Sequence, residues 1–209
     1  MSKSLDPKQI IMKNNEVSKL MLSSCIDNIQ IASEILIKGI KDGNKVLWCG
    51  NGGSAADSQH MSTELMGGLR SHDRPPIASI ALTTDSSFLT AWPNDTDFIT
   101  VFSRQIEAIG NSGDILIAIS TSGKSENIIE AVNIAEKMNM RIIILSGISG
   151  GELKGRGDVI INIPSDDTQR IQEGHLLTDH ILCEMAVSYT HLRAHETDSY
   201  LVCRLLLEK

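Results

Sequence analysis

No apolar run in the 209 residues approaches the roughly 20 needed to cross a bilayer, so no membrane partner is expected. Basic charge is also in deficit. Nineteen Lys and Arg stand against 26 Asp and Glu, a formal net charge of −7. That balance argues against a nucleic-acid partner held by a broad basic face. The opening MSKSLDPKQI lacks the basic-then-apolar order of a secretory signal. Cys25, Cys49, Cys183 and Cys203 show no CxxC spacing, so reduced, mostly buried thiols in a cytoplasmic chain are expected. There is no G-x-x-x-x-G-K-[ST], hence no nucleotide P-loop, and no low-complexity linker or usable internal repeat. An apolar fraction of 41% at this length is enough for one domain with a substantial core.

The first 42 residues read as helix. Asp6-Pro7 suits an N-cap with a first-turn proline, and Ile10, Ile11, Val17, Leu20 and Met21 recur at helical spacing. Ile29, Ala32, Ile35, Leu36 and Ile40 form a second stripe that ends at Asp42-Gly43. From Lys45 the pattern changes. Short β-branched runs occur at 45–49, 77–82, 115–119, 141–145 and 159–163, each suited to a strand buried on both faces. Helical segments are expected between them, at about 53–66, 97–109, 125–138 and 167–187. Five strand–helix alternations predict an α/β domain: a doubly wound, five-stranded parallel sheet of flavodoxin-like type, with an N-terminal helical extension. Its expected span is 1–187. Residues 188–209 resemble the translation of a sequencing adaptor and show no continuity with what precedes them, so His191 and His195 are given no role. A native amphipathic tail is the alternative.

In such a sheet ligands bind beyond the carboxyl ends of the strands. After the first run comes Gly50-Asn51-Gly52-Gly53-Ser54-Ala55, a formal match to the dinucleotide fingerprint. The acidic residue that should follow within about 20 positions is absent, Asp85 being much further on. The loop reads either as a tight turn into a helix or as bare backbone N–H groups brought close to something polar. After the third run, Ser120-Thr121-Ser122-Gly123-Lys124-Ser125 opens a helix. Hydroxyls and a glycine at a helix N-terminus suit phosphate, although Ser and Thr also simply cap helices. His60 and Glu64, four apart, share a helix face, as a metal pair, an acid–base pair or surface decoration. The last helix carries Gln172, Glu173, His175, Asp179 and His180 among apolar residues. Periodicity aligns Glu173 best with His180, with Gln172 about 80° away.

These segments together resemble the SIS (sugar isomerase) domain family, and within it the phosphoheptose isomerases. The resemblance rests on CGNGGSAADSQHMSTELMGG, IALTTDSS, PNDTDFITVFSRQIEAIG, GDILIAISTSGKSENII and SDDTQRIQEGHLLTDHILCE, in order over residues 45–187. It implies conversion of sedoheptulose 7-phosphate, a phosphorylated seven-carbon sugar, into D-glycero-D-manno-heptose 7-phosphate, feeding nucleotide-activated heptose for lipopolysaccharide or capsule. It also implies one zinc per subunit on His60, Glu64, Gln172 and His180, a donor set that suits the metal. Substrate contacts would come from Asn51, Gly52, Gly53 and Gln172, and from Asn94 and Asp95 in the loop after the second strand. Ser120, Thr121, Ser122 and Ser125 would bind phosphate; Glu64 would be the base and His180 its acid/base partner. A homotetramer with the N-terminal helices at subunit contacts is implied as well. Trp92-Pro93 departs from the family, where a small residue and glycine precede the Asn-Asp pair. Two rival functions fit the same fold: a non-catalytic SIS scaffold that binds the replication initiator protein, and an isomerase or sensor for another phosphosugar.

Overall fold

The computed structural model describes the backbone of residues 6–207 and the side chains of 6–189. Five strands, β1 (Val46–Gly50), β2 (Ser79–Ala81), β3 (Ile115–Ser120), β4 (Arg141–Gly147) and β5 (Val159–Ile163), form one all-parallel sheet in the order β2-β1-β3-β4-β5. Nearly every residue of β1, β3 and β4 is buried, as β-branched runs without polar alternation require. The doubly wound, flavodoxin-like α/β fold anticipated from the sequence is the observed one.

Helices cover both faces. On one lie α1 (Pro7–Ser24), α2 (Ile26–Lys41), α3 (Gly53–Met66) and α7 (Thr168–Leu207), packing Leu36, Met61, Leu65, Leu182 and Ala186 against Trp48, Ile117, Leu145 and Ile161. On the other lie α4 (Ser86–Asp95), α5 (Ser103–Ile109) and α6 (Glu126–Lys137). Phe102, Ile106, Ile128, Ala131, Val132 and Ala135 there meet Leu47, Leu116 and Ile144. The α6 contacts fall at i, i+3, i+4 and i+7, the stripe a sheet-facing helix needs. Each such large side chain withdrawn from water is worth about 1.5–3 kcal/mol. Asp6 caps α1 by accepting from the Lys8 N–H at 3.0 Å, with Pro7 in the first turn.

Three local expectations need correction. The segment 77–82 yields only a three-residue edge strand. The helix expected at 97–109 is confined to Ser103–Ile109, because Asp97 turns the chain by accepting from the Thr100 N–H at 2.8 Å. An additional helix, α4, precedes it, so Asn94 and Asp95 occupy a helix end rather than a loop. Asp85 caps α4 through the Phe88 N–H, and Phe88 stacks on Trp92 with ring centroids 5.9 Å apart. Pro93 lies in the last turn of α4, where it removes the one i to i−4 bond its N–H would have made.

The last helix does not stop at Val187. Nothing in Ser188–Glu196 is glycine or proline, and α7 continues to Leu207, with Lys41 Nζ 3.8 Å from the centre of the Tyr189 ring. His191, His195 and Cys203 lie outside the residues whose side chains are described. Cys25, Cys49 and Cys183 are buried free thiols; burial pushes Cys49 up to about 12, leaving it protonated and inert. Among the described residues no single helix is long and apolar enough to cross a membrane.

Candidate active site

The sheet order reverses at β1, which has β2 on one side and β3 on the other. The crevice beyond the carboxyl ends of β1 and β3 is therefore the switch point where ligands bind in this architecture. The loops leaving these two strands are tied together there. Asn51 and Asn127 exchange two amide hydrogen bonds, Asn51 Nδ2 to Asn127 Oδ1 at 2.8 Å and Asn127 Nδ2 to Asn51 Oδ1 at 2.9 Å. Asn127, at the start of α6, is a structural partner that the sequence did not single out.

Gly52 caps α3 with φ +56° and ψ −117°, a conformation that disfavours any side chain. Gly53 stands against the far end of a neighbouring side chain. A Cβ there would stand 2.6 Å from the Gln172 amide nitrogen, so α7 lays Gln172 directly over the first turn of α3. Further along, His60 and His180 meet edge to face with centroids 5.0 Å apart, and His60 Nε2 lies 3.3 Å from Glu64 Oε1. Gly53 against Gln172 and His60 against His180 mean that α3 and α7 run side by side in the same direction. His60, Glu64 and His180 are thereby brought together. Gln172 sits about 10 Å nearer the loop, by the rise of the seven residues from Gly53 to His60.

Glu173, the better match by periodicity, is engaged elsewhere. Its carboxylate takes Arg170 Nη2 and Asn14 Nδ2, each at 2.6 Å, and so ties α1 to α7. His180 Nδ1 lies 2.9 Å from the Leu176 carbonyl, which can only accept, so Nδ1 is the donor and Nε2 is left for another partner. A ring oriented through Nδ1 in this way is the usual arrangement of a metal-binding histidine. Two imidazoles and a carboxylate thus fit zinc in donor chemistry, although no cluster of three or more His, Cys, Asp or Glu among the described residues is spaced to hold an ion.

The interface between α3 and α7 also buries groups the sequence left without a role. Asp179 is fully buried, neither of its carboxyl oxygens has a partner, and burial with Asp57 nearby raises its pKa well above the ordinary carboxylate range. Burial pushes the Asp57 carboxyl up too, against the pull of His60 and His180. His175 is fully buried, and burial lowers its pKa to about 4, so its ring is neutral. Buried polar groups on an otherwise apolar helix signal such residues, but spacing alone cannot say which of them face inward.

The 120–125 loop divides its hydroxyls. Ser120 is turned inward, donating to Ser125 Oγ at 3.2 Å and accepting from the Gly123 N–H at 3.2 Å. Thr121 and Ser122 instead line a cavity of about 250 Å³, together with Lys124, Ser149, Ser165 and Thr168. The opposing turn packs so closely that a Cβ on Gly123, at φ +64°, would strike the Gly150 carbonyl. Asn94 and Asp95 hydrogen-bond each other at 2.8 Å, exposed, with no described bond to α3 or α7.

Residues 13–147 match the SIS domain family. The chain is 52% identical over 156 residues to the phosphoheptose isomerase of Aromatoleum aromaticum, covering 73% of this chain and 78% of that one. It is 50% identical over 172 residues to phosphoheptose isomerase 1 of Campylobacter jejuni, covering 81% and 92% respectively. Among solved structures, a phosphoheptose isomerase from Francisella tularensis superposes with a TM-score of 0.83 at 35% identity, over 87% of this chain and 96% of that one. The corresponding enzyme from Neisseria gonorrhoeae gives 0.81 at 38% identity, with the same coverage.

Proposed function

The chain belongs to the SIS domain family and, within it, to the phosphoheptose isomerases, and from that membership we propose how its own residues carry out the reaction. The activity is the aldose–ketose isomerisation of sedoheptulose 7-phosphate to D-glycero-D-manno-heptose 7-phosphate. The observation that carries the residue assignment is the convergence of His60, Glu64 and His180 where α3 and α7 meet.

Isomerisation moves a proton between C1 and C2 through an enediolate. It needs a base over the carbon and a proton donor or electrophile at the oxygens. Glu64 takes the carbon proton and returns it to the neighbouring carbon. His180, held by the Leu176 carbonyl, presents Nε2 toward the oxygens and manages their protons. Thr121 and Ser122 receive the phosphate at the open side of their cavity, while Ser120 and Ser125 hold the loop in shape. Binding energy from the phosphate is spent on positioning the far end of the sugar. Asn51, Gly52 and Gly53 frame the sugar at the switch point, with Gln172 packed over them. Asn94 and Asp95, exposed at the end of α4, complete the substrate contacts from that side.

By donor chemistry His60, Glu64 and His180 are the residues that would hold zinc, which when bound would polarise the carbonyl and hydroxyl oxygens, whereas Gln172, about 10 Å nearer the loop, is left to the substrate. We further infer a cytoplasmic homotetramer. Ile11, Met12 and Leu22 on α1 are 61%, 60% and 70% exposed, an apolar display that another copy of the chain would cover.

The direct test is incubation of the full chain with sedoheptulose 7-phosphate, with and without added zinc, following aldose formation. Turnover is the expected result. A folded oligomer that produces no aldose under either condition would overturn the reading.

A further inference from the structure

The connection from α3 to β2 holds a buried cation, Arg74, that forms no ion pair among the described residues. Arg74 is 5% exposed, and among the described residues no acid lies within ion-pair distance of it. Its guanidinium is spent on carbonyls. Nη2 donates to Glu64 O, Nη1 to Leu65 O at 2.8 Å and Pro75 O at 3.2 Å, and Nε to Leu69 O at 3.5 Å. Two of these acceptors belong to the last turn of α3, where helix geometry leaves carbonyls unpaired.

Burying a charge in this way is expensive, and a glycine or water could satisfy the same carbonyls at less cost. Gly67 already closes the helix by donating to the Thr63 carbonyl at 2.7 Å. What the guanidinium adds is a rigid five-donor fork on the backbone of the residue that carries the Glu64 carboxylate. We propose that Arg74 is the positioning residue for Glu64, fixing the turn of α3 from which that carboxylate reaches the substrate carbon. The proposal rests on the assignment of Glu64 as the base. It concerns geometry: a displaced turn moves the carboxylate off the line of proton transfer while leaving the phosphate and sugar contacts of the other loops in place.

The test compares kcat and KM for Arg74→Lys and Arg74→Gln with a control of similar instability. Ser79→Ala serves as that control, because it strands the buried Trp48 Nε1, which now donates to Ser79 Oγ at 2.9 Å, without touching the Arg74 hydrogen bonds. Arg74→Lys keeps the charge and the stem but loses the fork. It is expected to fold, to keep KM within about threefold, and to lose kcat by about 10–100-fold. Arg74→Gln should lose more, and Ser79→Ala should lower the melting temperature with kcat unchanged. If Arg74→Gln yields no folded protein, Arg74→Lys carries the test. A folded Lys variant with wild-type kcat overturns the proposal, as does an equal kcat loss in Ser79→Ala. Glu64→Gln is measured alongside. Residual full turnover there would remove the base on which the proposal rests. An inactive Glu64→Gln beside a fully active Arg74→Lys would overturn Arg74 alone.

Discussion

The two faces of the sheet meet their helices through equally apolar strands, yet the helices carry different cargo. On the α5–α6 face, Phe102, Ile106, Ile128, Val132 and Ala135 close a layer whose buried polar residues, Ser103 and Asn127, are neutral and hydrogen-bonded. On the α3–α7 face, Arg74, His175 and Asp179 are buried among Met61, Leu65, Leu182 and Cys183. Asp179 has no partner for either oxygen, and the His60 side chain at its rim remains 46% exposed. One face is finished as packing. The other accepts desolvation costs of the kind that accompany a catalytic surface, where buried and charged groups are tolerated for what they do.

Mutations should separate the faces. The largest structural effect belongs to the quiet one. Ile106→Ala leaves a cavity where α5 packs on α6 and is expected to cost about 2–5 kcal/mol of stability. Denaturant melts should show that loss while kcat for sedoheptulose 7-phosphate stays within twofold of wild type. A large drop in kcat would erase the distinction between the faces.

A smaller effect comes from His175 on the active face. Its folded-state pKa, about 4, lies below the ordinary 6.5, so the unfolded chain binds a proton that the folded chain refuses. Stability from this group is therefore complete above about pH 6.5 and is lost as pH falls toward 4, by up to about 3 kcal/mol. His175→Leu removes the titrating ring. Its stability relative to wild type should improve between pH 7.5 and pH 5, read from urea midpoints at the two values. An unchanged difference would show that the ring does not carry this pH dependence.

The same contrast sets how much the sequence could disclose. The strands are legible because β-branched runs without polar alternation have few other homes, and β5 begins and ends where its pattern does. The α3 segment is legible at both ends from Gly53 to Met66. By contrast, α4 is hidden by Trp92-Pro93-Asn94-Asp95, which has the composition of a turn although Phe88–Trp92 stacking and the Asp85 cap hold a helix. At the site, His60 and Glu64 are visible as an i,i+4 pair, but spacing within α7 favours Glu173 over Gln172. What separates the two lies outside that spacing: Asn14 of α1 and Arg170, one turn earlier on α7, engage Glu173, and Gln172 lies against Gly53 of α3. Arg74 is invisible for a related reason. Its partners are backbone carbonyls, which leave no mark in a sequence.

The central claim is that the carboxylate on the last turn of α3 does the proton transfer. Glu64→Gln preserves size and hydrogen bonding but removes the base. The measurement is turnover of sedoheptulose 7-phosphate by this variant, with substrate binding followed in parallel. The account predicts a folded protein that still binds the phosphosugar and loses kcat by about 10³-fold or more. A variant that turns over at near the wild-type rate would contradict it.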